Sequence, residues 1–338
     1  MRSTKILGHA HALKQLGVLF KTGRIPSALI FNGPKGVGKF LAAKEFAKLI
    51  NCKSGNQKSS SLFKKEEVKY DYISPCQKCL SCVQIESGAH PDVRIIDKNF
   101  QAQILQEPLS KQQSLKIDTI RELSSYADKR PILSEHKIFI IDGADDLVFQ
   151  AQNAMLKLLE EPPKNTHFFL VTSKKAALLP TIISRSHCVE FGQLPKNLVE
   201  EILTRNKIPL DEASFLSNIS CGSISKALDM RRLIKDFPEY DPGDRTYAFM
   251  LSQTLGKDSG VAREKANLML DIYLSKMHEK WIIESNASDK EGMGEVIKEL
   301  LKFKDFLRQN VMPTPLIEIA ALKCLRHNIT LNFKKKAI

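Results

Sequence analysis

Two groups of residues in this chain have types and spacing that suit chemistry. The first is Cys52, Cys76, Cys79 and Cys82, which read as C-x23-C-x2-C-x2-C. The tight Cys76–Cys82 run can present thiolates to one ion, and Cys52 can complete a tetrahedral set. Zinc is the expected metal. An iron–sulfur cluster and four unliganded thiols stay open as alternatives, although the ferredoxin pattern of a nearby fourth cysteine followed by proline is missing. Four sulfur ligands leave no position for water, so the expected role is structural. Cys188, Cys221 and Cys324 stand alone and read as ordinary buried thiols.

The second group is Gly33-Pro34-Lys35-Gly36-Val37-Gly38-Lys39, which fits the phosphate-binding loop G-x-x-x-x-G-K. Gly33, Gly36 and Gly38 let backbone N–H groups turn inward around phosphates, and Lys39 is placed to reach the outer ones. The next position normally carries Ser or Thr, whose hydroxyl holds Mg²⁺; here it is Phe40, which cannot ligate a metal. Ile138-Phe139-Ile140-Ile141-Asp142 resembles the Walker B strand, with Asp142 at the Mg²⁺-orienting position. The water-positioning Glu that often follows is replaced by Gly143. Nucleotide binding without hydrolysis, or a tight turn with no ligand, both fit these residues.

Positioning such groups requires a sheet with helices. Ala28–Phe31, Val93–Ile96, Lys137–Ile141 and His167–Thr172 read as buried strands. Phe40–Ile50, Ile117–Ala127 and Ala151–Glu160 read as helices between them. This alternation predicts an α/β domain with a parallel sheet covered on both faces. Polar insertions interrupt it at Lys53–Pro75 and at about Asn99–Gln113. Past Gly192 the strand signals stop. Leu198–Asn206 and Asp211–Ile219 read as short helices, Tyr240–Asp244 as a turn or hinge, and the rest as a helical bundle.

The chain has 338 residues, with 43% hydrophobic and 26% charged, which excludes a disordered chain and leaves room for two or three domains. No apolar run suits a membrane helix, and the start lacks a secretory pattern, so a cytoplasmic location without disulfides is expected. Lys and Arg total 51 against 38 Asp and Glu, a net charge of +13. Residues 1–50 carry nine basic residues and one acid, a net of +8. That excess suits phosphate-bearing partners, DNA or another protein, or simple solubility.

Four segments carry a family resemblance. They are His90-Pro91-Asp92, Asn153-Ala154-Met155-Leu156-Lys157-Leu158-Leu159-Glu160-Glu161-Pro162-Pro163, Thr181-Ile182-Ile183-Ser184-Arg185-Ser186 and Gly222-Ser223-Ile224-Ser225-Lys226-Ala227-Leu228. In this order they resemble bacterial clamp-loader AAA+ subunits. Within that family the residues look like the delta-prime branch. The gamma/tau ATPase branch has Thr or Ser where Phe40 stands, Glu at Gly143, and Arg at Ser225 in the second sensor.

The resemblance implies an AAA+ P-loop domain over residues 1–192 with a four-Cys zinc module at 52–82. It also implies a small helical lid at 193–239 and an all-α C-terminal collar at 240–338. The implied role is a stator of DNA polymerase III in a hetero-pentameric clamp loader with delta and gamma/tau subunits. That ring uses ATP to load the sliding clamp onto primer-template DNA. Arg185 maps to an arginine finger offered in trans to ATP on a neighbour. Two other functions compete: an ATP-hydrolysing gamma/tau-like subunit, and a free-standing zinc and DNA-binding protein.

Overall fold

Strands buried on both faces have no solvent side, so they read as unbroken apolar runs. In the computed structural model, which describes residues 6–53, 74–237, 246–256 and 258–331, five strands pair, most of them such runs. They are β1 Ala28–Asn32, β2 Val93–Ile96, β3 Lys137–Asp142, β4 Thr166–Thr172 and β5 His187–Glu190. All pairings are parallel, in the order β2-β3-β4-β1-β5. The connections supply helices α1 Ala10–Lys21, α2 Lys39–Ile50, α3 Leu80–Ser87, α4 Lys98–Leu105, α5 Ile117–Ala127, α6 Phe149–Glu160 and α7 Pro180–Ser184.

Alternate strand residues face opposite cores. Leu29, Phe31, Ile138, Ile140, Phe169 and Val171 pack with α1 and α2 through Leu13, Leu16, Ala43 and Phe46. Ala28, Ile30, Phe139, Ile141, Phe168 and Leu170 pack with α5 and α6 through Ile120, Leu123, Met155 and Leu159. The four expected strands are β1 to β4, and the three expected helices are α2, α5 and α6. Helices α1, α3 and α7 and strand β5 lie outside the expected elements. The order places β4 between β3 and β1. The carboxyl ends of β1 and β3, which lead into Gly33 and end at Asp142, therefore flank one strand end, where α/β sheets bind ligands.

The segment expected as a polar insertion at 99–113 departs from that reading. It contains α4, capped by Asp97 Oδ1 accepting from Phe100 N at 2.8 Å. Its Gln101 is fully buried. Gln101 Oε1 accepts from Lys116 N and Thr119 Oγ1, both at 2.6 Å, and Nε2 donates to Gln112 Oε1 at 2.6 Å and Ser114 O at 2.8 Å. A buried amide costs little when all its groups are paired. Most of the other expected insertion, residues 54–73, lies outside the described residues, as do the hinge expected at Tyr240–Asp244 and the terminal lysines.

The chain divides into two compact units, Met1–Ile202 and Leu203–Ile338. The division expected at 1–192, 193–239 and 240–338 is finer than this split, and its break between 239 and 240 lies outside the described residues. The dividing point falls within α8 Lys196–Arg205. The second unit contains α9 Leu210–Ile219, α10 Ile224–Lys235, α11 Tyr247–Gln253, α12 Ser259–Ile283, α13 Ala287–Arg308 and α14 Pro313–Arg326. Helix α12 packs on α9, α10, α13 and α14, burying Met269, Leu270, Tyr273 and Met277 along one stripe. No helix of the described residues is long and apolar enough to cross a membrane.

Candidate functional site

The glycine-rich loop joins β1 to α2, with Gly38 (φ 106°) as the residue before the helix. At Gly33 (φ 150°) an added Cβ would lie 2.1 Å from the Phe191 carbonyl oxygen, so the close approach of the chain after β5 admits only glycine. The Lys39 ammonium donates to Gly33 O at 2.6 Å and Pro34 O at 2.5 Å, folding back onto its own loop. Burial lowers the Lys39 pKa, and the charges of Asp145 and Asp142 oppose that shift. Burial raises the Asp142 pKa, the Asp97 charge adds to it, and Lys39 opposes. Lys39 and Asp142 thus feel each other's charge, as their motifs require.

The residues around them explain the two departures. Phe40 is half-buried and packs against the core shared by α1, α2 and the sheet. Gly143 (φ 79°) turns the chain after β3 into a single helical turn. The acids that follow it are engaged elsewhere. Asp145 accepts from Ser173 Oγ at 2.7 Å and Ser173 N at 3.2 Å, and Asp146 pairs with Lys98 at 2.8 Å. His9, unmarked by any motif, covers the loop: its Nε2 donates to Val37 O at 2.8 Å, and its ring meets Phe191 edge-on. Burial lowers its pKa, the Val37 carbonyl opposes, and Lys39 adds to the shift.

Cys52, Cys76, Cys79 and Cys82 come together with all four Sγ atoms within 4.8 Å of one another. Cys52 and Cys79 are 4.0 Å apart, and Cys76 and Cys82 3.9 Å. A tetrahedral zinc with Zn–S of about 2.3 Å sets sulfurs about 3.8 Å apart, so the donor set fits such an ion. The loop is fastened to α2 without sulfur. Gln77 (φ 60°) donates to Glu45 Oε2 at 2.5 Å and accepts from Lys48 Nζ at 3.0 Å. Lys48 is 0% exposed and pairs with Glu45 Oε1 at 2.6 Å and with Glu86. Burial works against its charge, but the bonds and charges of Glu45 and Glu86 raise its pKa overall.

Of the three lone cysteines, Cys188 and Cys221 differ from the expectation of buried thiols. Only Cys324 is buried, with its thiol pushed up to about 12 by that burial. Cys188 is half-buried and donates to Glu190 Oε1 at 3.1 Å, while Cys221 is exposed.

His90-Pro91-Asp92 is a structural clamp. Asp92 is buried and accepts the N–H groups of Ile132, Leu133 and Ser134 at 2.8, 2.7 and 2.8 Å. Arg185 ends α7, with Nη2 3.1 Å from Glu160 Oε1 and Nη1 donating to Thr181 O at 3.2 Å. Its side chain is 40% exposed, and among the described residues its polar partners come from α6 and α7, none from the glycine-rich loop. The basic N-terminal segment is less of an outward field than its charge implies. Lys39 and Lys48 are buried, and Lys44 donates to Glu86 O at 2.8 Å. In the second unit, Lys226 pairs with Asp271 at 2.8 Å, a contact that no sequence signal announced.

The chain matches the family described as DNA polymerase III, delta subunit, over residues 8–195. It is 31% identical over 215 residues to a DNA polymerase III subunit delta′ of Bacillus subtilis, covering 62% of this chain and 55% of that protein. It is 30% identical over 201 residues to a subunit gamma/tau of Mycobacterium bovis, covering 60% of this chain and 30% of that protein. The match therefore spans about a third to about a half of these relatives. A gamma subunit-related protein of Thermotoga maritima shares the fold, with a TM-score of 0.54 at 18% identity, covering 93% of this chain and 99% of that one.

Proposed function

Since the chain belongs to the DNA polymerase III delta-subunit family, we propose that it is the delta-prime stator of a clamp loader. It assembles with delta and gamma/tau subunits into a hetero-pentamer that loads the sliding clamp onto primer-template DNA in the cytoplasm. The observation that carries this reading is the side chain of Phe40, which packs into the core where a Mg²⁺-holding hydroxyl is needed. Gly143 supports it, because no carboxylate stands there to position an attacking water. Gly33, Gly36, Gly38, Lys39 and Asp142 form the loop and strand end of a site that retains affinity for a nucleotide at most, without turnover.

Arg185 is the group through which the chain serves catalysis. A guanidinium stays charged and forks onto phosphate oxygens, and an arginine finger contributes about 10³–10⁵ in rate. It acts on ATP held by a neighbouring gamma/tau subunit. Cys52, Cys76, Cys79 and Cys82 hold zinc, which supplies a structural cross-link. The three-part division at 192 and 239 belongs to this proposal, with the last part as collar.

The test is reconstitution. Arg185→Ala should leave assembly intact and reduce DNA-stimulated ATP hydrolysis and clamp loading in part, because one of three ATP sites faces this subunit. Arg185→Lys should rescue poorly, since a point charge cannot reproduce the fork. The identity to gamma/tau relatives favours a second reading, an ATPase subunit. Phosphate release by the isolated chain at the rate of a gamma/tau subunit would establish that reading and remove the first.

A further inference from the structure

Resting on the reading of Arg185 as the group offered to a neighbour's nucleotide, we infer that Glu160 is its positioning residue. The argument starts from what is already fixed. The backbone at Arg185 is set by its N–H donating to Ile182 O at 3.2 Å, and Ile182 is buried against the sheet. What remains free is the long side chain, whose torsions an exposed arginine samples widely.

Two contacts restrict that freedom. Thr181 O takes one Nη1 hydrogen at 3.2 Å, and the Glu160 carboxylate forms an ion pair with the guanidinium, its Oε1 3.1 Å from Nη2. Glu160 is itself well placed to hold a partner. It is the last residue of α6, directly after the buried Leu158 and Leu159 and two residues before Pro162-Pro163. A guanidinium has five N–H donors. One is used on Thr181 O and the ion pair engages Nη2, so donors stay available to an incoming phosphate while the guanidinium is held between the two partners. Glu160 therefore keeps the finger extended from the α6 and α7 ends before the neighbour's nucleotide arrives, and does not touch the nucleotide itself.

The experiment uses the chain assembled with its delta and gamma/tau subunits, and follows DNA-stimulated ATP hydrolysis across ATP concentration. An exposed pair of this kind orders its arginine by about two- to fivefold. At one of three sites, Glu160→Ala should then lose roughly half to four-fifths of the kcat that Arg185→Ala loses. KM for ATP and the thermal midpoint should not move. Glu160→Gln, which keeps the shape and an accepting oxygen, should fall between wild type and Glu160→Ala. The double variant should lose no more than Arg185→Ala alone, because a brace without its arginine has nothing to hold. Wild-type or raised kcat in Glu160→Ala, or a further loss in the double variant, overturns the inference while the finger reading stands. Wild-type kcat in Arg185→Ala overturns both.

Discussion

Gln77, which stands between Cys76 and Cys79, donates its side-chain amide to Glu45 Oε2 of α2 at 2.5 Å. The same amide oxygen accepts from the buried Lys48. The cysteine loop and the helix that leaves the glycine-rich loop are therefore one mechanical piece. Removing the amide strips a partner from each of two buried charges. Gln77→Ala should cost about 1–3 kcal/mol of unfolding free energy in urea. A loss below about 0.5 kcal/mol, the size of an ordinary surface change, would mean that the contact holds nothing.

Metal content checks the cysteine cluster separately. The purified chain should contain about one zinc by elemental analysis, as a closed four-thiolate site requires. Cys79→Ser should abolish it and loosen the loop around Cys76 and Cys82, leaving the helices α12 to α14 with unchanged circular dichroism. Iron in place of zinc, or no metal after chelator-free purification, contradicts the assignment.

His136 and His167 predict acid sensitivity. His167 Nδ1 lies 2.9 Å from Pro26 O, which can only accept, so Nδ1 carries the proton and Nε2 accepts from His136 Nδ1 at 3.0 Å. Burial lowers both pKa values; at His167 the Pro26 bond opposes and His136 adds to the shift. A histidine with a lowered folded pKa contributes stability that is full above about 6.5 and is lost as pH falls through that value toward the folded one. The urea midpoint should therefore drop between about pH 7.5 and about pH 5. The drop should be shallower in a His136→Ser, His167→Asn variant, and an equal slope in both chains removes the explanation.

Restoring the ATPase residues should damage the fold. Gly143 has φ 79°, and a Cβ there would sit 3.2 Å from Asp146 Oδ2. A non-glycine residue in that conformation costs about 1–2 kcal/mol. Phe40→Thr also removes a ring that packs on the core. The Phe40→Thr, Gly143→Glu variant should unfold at lower urea and still release no phosphate, since Ser225 also departs from the sensor pattern. Turnover by this variant would show that those two positions alone silence the site.

Asp271 joins three helices of the second unit. It is 13% exposed and pairs with Lys226 of α10 at 2.8 Å and with Lys304 of α13. Asp271→Asn should destabilise that unit by about 1–2 kcal/mol, below the cost of breaking a fully buried pair because the lysine side chains keep 27% and 22% of their surface exposed. Hydrogen exchange in α10 is the direct measurement. Unchanged protection there would show that apolar packing alone holds the helix.

Local pattern was legible in the chain, and partnership was not. Four strands were readable because burial on both faces removes polar alternation, and the cysteine run and glycine-rich loop because their spacing lies within one turn or loop. Strand β5 was not, since of His187, Cys188, Val189 and Glu190 only Val189 is buried, and an edge position leaves no apolar run. Helix α4 was read as an insertion because hydropathy counts Gln101 as polar without knowing that all its groups are paired. Hydrophobic periodicity names the face a residue turns inward but not the residue it meets. That Glu160 braces Arg185, that Asp92 holds the Ile132–Ser134 turn, and that Gln77 docks on Glu45 were decided only when the sheet brought distant segments within hydrogen-bond range.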